Sequence, residues 1–172
     1  MTVSDFHDTI DIWISELEAY DFETLTIQPG PGSWSVGQVY MHILDEADFQ
    51  LGQITVCLSS NADANGEATR EAKKMFEKNS FPNLLIEGPP SNAFVQQPES
   101  KEHIKQRLMD LKRRVNAADA RISASPFQGK AMHPGLHYLS AREWLQFSEM
   151  HFRHHLRQKA RLDAFLADLK AP

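Results

Sequence analysis

Histidine stands in this 172-residue chain where a packed helix normally carries leucine. From Ser140 to Leu169 the sequence reads SAREWLQFSEMHFRHHLRQKARLDAFLADL. Trp144, Ser148, His151, His155, Gln158, Leu162, Phe165 and Leu169 recur there at steps of three and four residues, the spacing that stacks side chains along one helical face. His151 and His155 are one turn apart on that face and can reach a single ion. A third ligand has to come from elsewhere in the chain, and His42, beside Val39 and Ile43 at the edge of another apolar stripe, can face the same axis. Neutral imidazole suits zinc, iron, nickel and copper. Three protein ligands leave a position open, at which an ion lowers the pKa of water towards about 7, polarises a carbonyl or binds a thiolate. An H-x-x-x-H pair also arises by chance on many helices, but burying two imidazoles without partners is costly, and that cost favours the ligand reading.

The other candidates are weaker. Phe152 occupies the position of the catalytic glutamate of H-E-x-x-H proteases, which disfavours that chemistry. His154 competes with His155 as a ligand, yet its rotation of 100° places it on the flank. Glu46, one turn after His42, and Asp45 are candidates for orienting a ligand or moving a proton, against the plainer reading that helix-flank carboxylates are simply solvated. His133 and His137 precede the histidine helix and either line the mouth of a site or serve as polar loop residues. Cys57, late in an apolar helix, reads as packing rather than as a nucleophile.

These residues need elements to hold them. A first helix is expected from about Asp5 to Tyr20, opened by a capping box at Thr2 and Asp5, with Phe6, Ile10, Trp13, Leu17 and Tyr20 as its stripe. After a loop rich in proline and glycine, Ser35 and Gln38 form a second capping box, with Trp34 and Val39 as a hydrophobic staple. That second helix should run from Val36 to about Ser59, with Val39, Ile43, Ala47, Ile54 and Leu58 inward. Residues 61–100 read as a long crossover with a short amphipathic piece at 68–78, in which Phe81, Leu84, Leu85, Ile86 and Phe94 tuck onto the core; crossovers this long are often lids or binding loops. A third helix, capped by Ser100, spans Lys101 to Ile122 with Ile104, Leu108, Leu111, Val115, Ala118 and Ile122 inward. SPFQGKAMHPGLHYLS then reads as a loop into the fourth helix, which Ser140 and Glu143 cap and Leu139 and Trp144 staple. The fold class is all-α: one domain over residues 1–172, an antiparallel four-helix bundle with one long crossover between helices two and three.

Composition narrows the setting. A net charge of -5 and a pI near 5.9 argue against a general phosphate-binding surface, so nucleic acid is not expected as a partner, although Lys112, Arg113 and Arg114 form a local basic run. No apolar segment approaches the roughly 20 residues that cross a bilayer, so no membrane partner is expected. Cys57 is the sole cysteine, and the start MTVSDFHDTI lacks a basic then apolar leader, which together suggest a reducing cytoplasm. A homodimer is compatible with the sequence.

The Trp34-Ser35 helix start, His42, the His133-Pro134-Gly135 turn, the Glu143-Trp144 pair and HFRHHLRQ from His151 to Gln158 together resemble the DinB/YfiT family, from Trp34 to about Leu162. The resemblance implies a four-helix bundle in which His42, His151 and His155 bind one divalent ion, and so supplies the third ligand. Characterised members of that family include transferases and isomerases that use low-molecular-weight thiols. The expectation is therefore a divalent-metal-dependent enzyme, its ion zinc, nickel, iron or manganese, which activates a thiol or water for transfer to, or hydrolysis of, a small electrophilic substrate. A low-molecular-weight thiol would be the co-substrate in the first case, and Glu46 is the candidate catalytic residue. The alternative is a non-catalytic bundle whose ion ties helices two and four together, closed by a fourth ligand such as His154 or Glu46.

Overall fold

The computed structural model describes residues 2–82 and 94–169, and within them the chain is mostly helical with two short strands. The elements are α1 (Val3–Leu17), α2 (Phe22–Thr26), α3 (Val36–Cys57), α4 (Arg70–Lys78), α5 (Lys101–Ala124), β1 (Lys130–His133), β2 (His137–Ser140) and α6 (Ala141–Leu169).

Capping chemistry sets where the long helices begin. At α1 the Thr2 hydroxyl accepts from the Asp5 amide while the Asp5 carboxylate accepts from the Thr2 amide, and Ser35 and Gln38 repeat the reciprocal pair at α3. Ser100 caps α5 by accepting from the His103 amide. At α6 the Glu143 carboxylate accepts from both the amide and the hydroxyl of Ser140 (2.8 and 2.7 Å), and the flanking Leu139 and Trp144 are fully buried.

Side chains of α1, α3, α5 and α6 share one apolar core built on Trp13, Tyr40, Phe6, Phe152 and Trp144, with Trp13 edge-on to both Tyr40 and Phe152. Polar pairs between the helices show their relative directions. Asp11 bonds Lys112 and Glu18 bonds Lys105, so α1 runs against α5. His42 meets His151 and His155, Phe49 meets Trp144 and Cys57 meets Leu139, so α3 runs against α6. Asp45 with Arg107 and Thr55 with Arg121 show α3 running with α5; Thr9 with Glu149 and Glu16 with Lys159 show α1 running with α6. Parallel neighbours follow from the crossover, which carries the chain back along the length of α3 before α5 begins.

Several expectations need correction. The stretch before α6 is an antiparallel hairpin, in register from Lys130 with Ser140 to His133 with His137, because alternation of buried Ala131 and Leu139 with more exposed neighbours satisfies a half-buried ribbon. Gly129 enters it so close to α3 that a Cβ would lie 2.7 Å from the Cys57 carbonyl. The short α2, capped by Asp21, is an element that the sequence reading did not include. Phe94 is exposed rather than tucked in, and Leu169 is exposed while Leu166 is buried, since the face of α6 that meets the core shifts by a residue near its end. Phe81 does pack on the core, against Phe147. Leu84, Leu85 and Ile86 lie outside the described residues.

The Lys112–Arg114 run is no free basic patch: Lys112 pairs with Asp11, Arg113 with Asp110 and Arg114 with Asp48. No helix is long and apolar enough to cross a membrane among the described residues.

Candidate metal centre

His42 comes from the second turn of α3, and His151 and His155 from the middle of α6, all on the seam where those helices run antiparallel. One ring nitrogen from each of the three lies within 4.8 Å of the others. Ring centroids are 5.1 Å apart for His42 and His151, 4.7 Å for His42 and His155, and 4.5 Å for His151 and His155. The helical repeat that predicted a shared face for the α6 pair thus delivers both imidazoles to His42.

Proton positions follow from the neighbours. His155 Nδ1 lies 2.7 Å from Gln158 Oε1, and an amide oxygen only accepts, so Nδ1 carries the proton and Nε2 presents its lone pair. That Nε2 stands 3.0 Å from His151 Nε2. Two lone pairs at this distance repel unless a proton or a cation lies between them. In either case His151 Nδ1 is buried without a partner among the described residues, as a lone pair beside a shared proton or as an N–H beside a cation. The cation alternative fits the spacing, because two nitrogens held at about 2.0–2.1 Å from one ion sit about 2.8–3.0 Å apart in octahedral and about 3.3–3.4 Å apart in tetrahedral arrangement. The residues therefore suit a divalent ion.

Burial keeps the donors neutral. It pushes His42 down to about 4 and His155 down to about 3, and it lowers His151 well below the usual imidazole range, with the neighbouring histidines adding to the effect at His151 and His155. The walls are aromatic. Trp34 lies 4.8 Å from His42 between ring centroids, Phe147 stacks parallel to His151, and Phe81 from the crossover contacts His151 and His154.

The remaining candidates separate. His154 is half-buried on the flank, facing Phe81 and Arg157, and is not among the converging donors. His133 Nδ1 accepts from the amides of Gly135 and Leu136, so it closes the hairpin turn while its ring rests on Trp144 and Phe147. His137 is exposed, with a left-handed φ of 63°. Asp45 is committed to Arg107 (2.8 Å). Glu46 is half-buried, makes no hydrogen bond or ion pair among the described residues, and has its carboxyl raised by burial and by nearby Asp45. Cys57 is buried, its thiol raised to about 11 by burial and directed at the Leu139 carbonyl.

Sequence reasoning missed the hydrogen bond from His155 to Gln158, although their i, i+3 spacing signals it. It also missed two charged groups packed within α6. Glu149 accepts from Thr9 (2.9 Å) and Arg153 (2.5 Å), and Lys159 bonds Glu16 (2.7 Å) and Asp163 (2.8 Å). Their partners lie on α1 or one turn along α6, so the pattern is visible only once α1 is known to run beside α6.

The sequence profile of the DinB superfamily matches residues 5–159, which takes in every element from α1 to the histidines of α6. The chain belongs to the DinB superfamily. No curated protein matches it. A DinB-like domain with three converging imidazoles is compatible with metal binding.

Proposed function

We propose that this DinB-superfamily protein is a divalent-metal-dependent enzyme, built on a four-helix bundle of α1, α3, α5 and α6, that transfers a thiol to, or hydrolyses, a small electrophilic substrate. The observation that carries the reading is the convergence of His42, His151 and His155 within 4.8 Å, with Gln158 fixing the tautomer that aims His155 Nε2 inward. A bound ion of the zinc, nickel, iron or manganese class supplies Lewis acidity, which favours the thiolate or hydroxide form of a nucleophile at neutral pH or polarises a carbonyl.

The chain's own residues do the rest. The three imidazoles hold the ion and stay unprotonated because their surroundings desolvate them. Trp34, Phe147 and Phe81 exclude bulk water from their rings, which strengthens charge interactions there. Glu46, one helical turn from His42 and free of ion pairs among the described residues, takes the proton released by the nucleophile on a carboxylate oxygen, and its raised pKa suits that role.

The alternative is an ion that only ties α3 to α6. A structural site is normally closed by a fourth protein ligand, and neither His154 nor Glu46 belongs to the converging set among the described residues. The test is a cobalt-substituted protein, with the visible spectrum followed while small thiols are added. A new sulfur-to-metal charge-transfer band supports thiol transfer; a spectrum unmoved by thiols and by azide indicates a closed structural ion.

A further inference from the structure

While α3 presents His42 to α6, another of its faces lines a groove with α5. Asp48 pairs with Arg114 and Thr55 with Arg121, so the two parallel helices each advance seven residues between these rungs. Between the rungs lies a recess of about 280 Å³, lined by Leu51, Gly52, Ala117 and Ala118, with the buried Leu51 and Ala118 as its floor. Packing does not account for two of its features. Gly52 sits in mid-helix, where glycine is less stable than alanine, yet a Cβ there would meet no atom within 4 Å, so no close neighbour requires it. The other is Arg121. On α5 the arginines at 107, 114 and 121 form one row facing α3: Arg107 pairs with Asp45 and Asp48, and Arg114 with Asp48 and Asp110. Arg121 instead meets the neutral Thr55 hydroxyl at 3.2 Å and has no carboxylate partner among the described residues. A second recess, of about 270 Å³ and lined by Leu58, Pro126 and Phe127, adjoins Arg121 further along both helices.

We propose that Arg121 and the groove beside it bind a small carboxylate that carries a short apolar body. The site is separate from the metal centre and does not depend on it. A guanidinium presents five N–H donors in a fork that matches a carboxylate; Thr55 engages Nη1, which leaves the edge formed by Nε and Nη2 for a bidentate pair. The surrounding charge limits the ligand to one negative charge. Arg114 is already offset by two aspartates, Asp48 lines the recess itself, and Arg121 stands in the last turn of α5, where the helix end carries partial negative charge. A phosphate dianion is opposed by both, and a neutral amide leaves Arg121 without a counter-charge. Size points the same way: pockets that enclose drug-sized ligands begin at about 300 Å³, so this recess takes a smaller body, which Leu51 and Ala118 shield from water. Gly52 then has a role, because a longer side chain at that position would project into the recess and fill it.

The test uses the intact 15N-labelled protein without added metal and benzoate as probe, with benzamide as its neutral counterpart and inorganic phosphate as the dianion, all at equal ionic strength. The readout is the backbone amide resonances of Ala117 and Ala118, taken from sequential assignment. Two variants separate charge from shape: Arg121→Gln removes the guanidinium, and Gly52→Leu keeps it but fills the recess. Each is checked for a native circular dichroism spectrum, which both should show, since Arg121 is exposed and a side chain at Gly52 enters open space. The expected result is a saturable shift with benzoate, weakened about tenfold in either variant, with weaker binding of phosphate and no response to benzamide. No shift with benzoate, an equal response to benzamide, tighter binding of phosphate, or undiminished binding in either folded variant would overturn the site. Benzoate binding that requires added zinc would place the carboxylate at the histidines and overturn it as well.

Discussion

Replacing Gln158 tests the metal centre without touching a ligand. Its Oε1 is the acceptor that holds the proton on His155 Nδ1 at 2.7 Å, and thereby keeps the lone pair on the Nε2 that faces His151 at 3.0 Å. In Gln158→Leu the imidazole loses that anchor. It can then rotate, or place its proton on Nε2, where it blocks coordination. Partners of this kind typically account for about 10–100-fold in metal affinity, or about 1.4–2.7 kcal/mol. Gln158→Glu should act in the opposite direction, since a carboxylate accepts more strongly from Nδ1 and makes Nε2 more basic. The assay is zinc competition against a chromophoric chelator near neutral pH, with thermal unfolding of the metal-free variants as a check on the fold. Equal affinity in the wild type, Gln158→Leu and Gln158→Glu would mean that His155 does not bind through Nε2, and the assembly of the site as described would be wrong.

Alanine at His42, His151 or His155 should each lower zinc affinity by orders of magnitude in the same competition, whereas His154→Ala, His133→Ala and His137→Ala should change it little. The metal-free protein should lose stability in acid. Burial lowers His42 to about 4 and His155 to about 3, so the unfolded chain binds protons first as pH falls below its ordinary value of about 6.5; stability is complete above that pH and is lost down to about pH 3–4, by about 3 kcal/mol for His42 alone, which urea unfolding at stepped pH will measure. Ser35→Ala removes the hydroxyl that accepts from the Gln38 amide and donates to Gln97 (2.8 Å), and should cost about 1 kcal/mol in the same urea assay. Glu149→Ala removes the carboxylate that accepts from Thr9 and Arg153 in the α1–α6 contact; Arg153 keeps the Asn79 carbonyl and Thr9 the Asp5 carbonyl, so the change should cost about 1–2 kcal/mol, seen as a lower melting temperature.

What could be read from the sequence was whatever depends on neighbours within a helix. The capping boxes at Thr2 and Ser35, the stripe of α5 and the shared face of His151 and His155 are all local patterns, and each is found in the structure. His42 needed the family resemblance, because nothing in the spacing along α3 says which helix it will face. The hairpin was hidden because each strand has only four residues, too few for alternation to stand out against a proline and glycine turn. Glu149 and Lys159 were hidden for a different reason. Their burial is tolerable only beside partners from the opposite end of the chain, so a local reading puts them in solvent.

The seam between α3 and α6 also governs how the molecule folds. It joins residues separated by most of the chain, and the crossover, α5 and the hairpin must all be threaded before His151 can meet His42. Closing so large a loop costs entropy before any contact rewards it, so this seam belongs to the late, slow part of folding. On the ribosome the three imidazoles cannot converge until α6 has emerged at least as far as His155. An ion captured by all three then binds only the finished chain, and by mass action it draws the whole fold towards completion rather than stabilising any fragment. Metal capture would thus serve as a marker of completed folding, and chelation should accelerate loss of the whole domain.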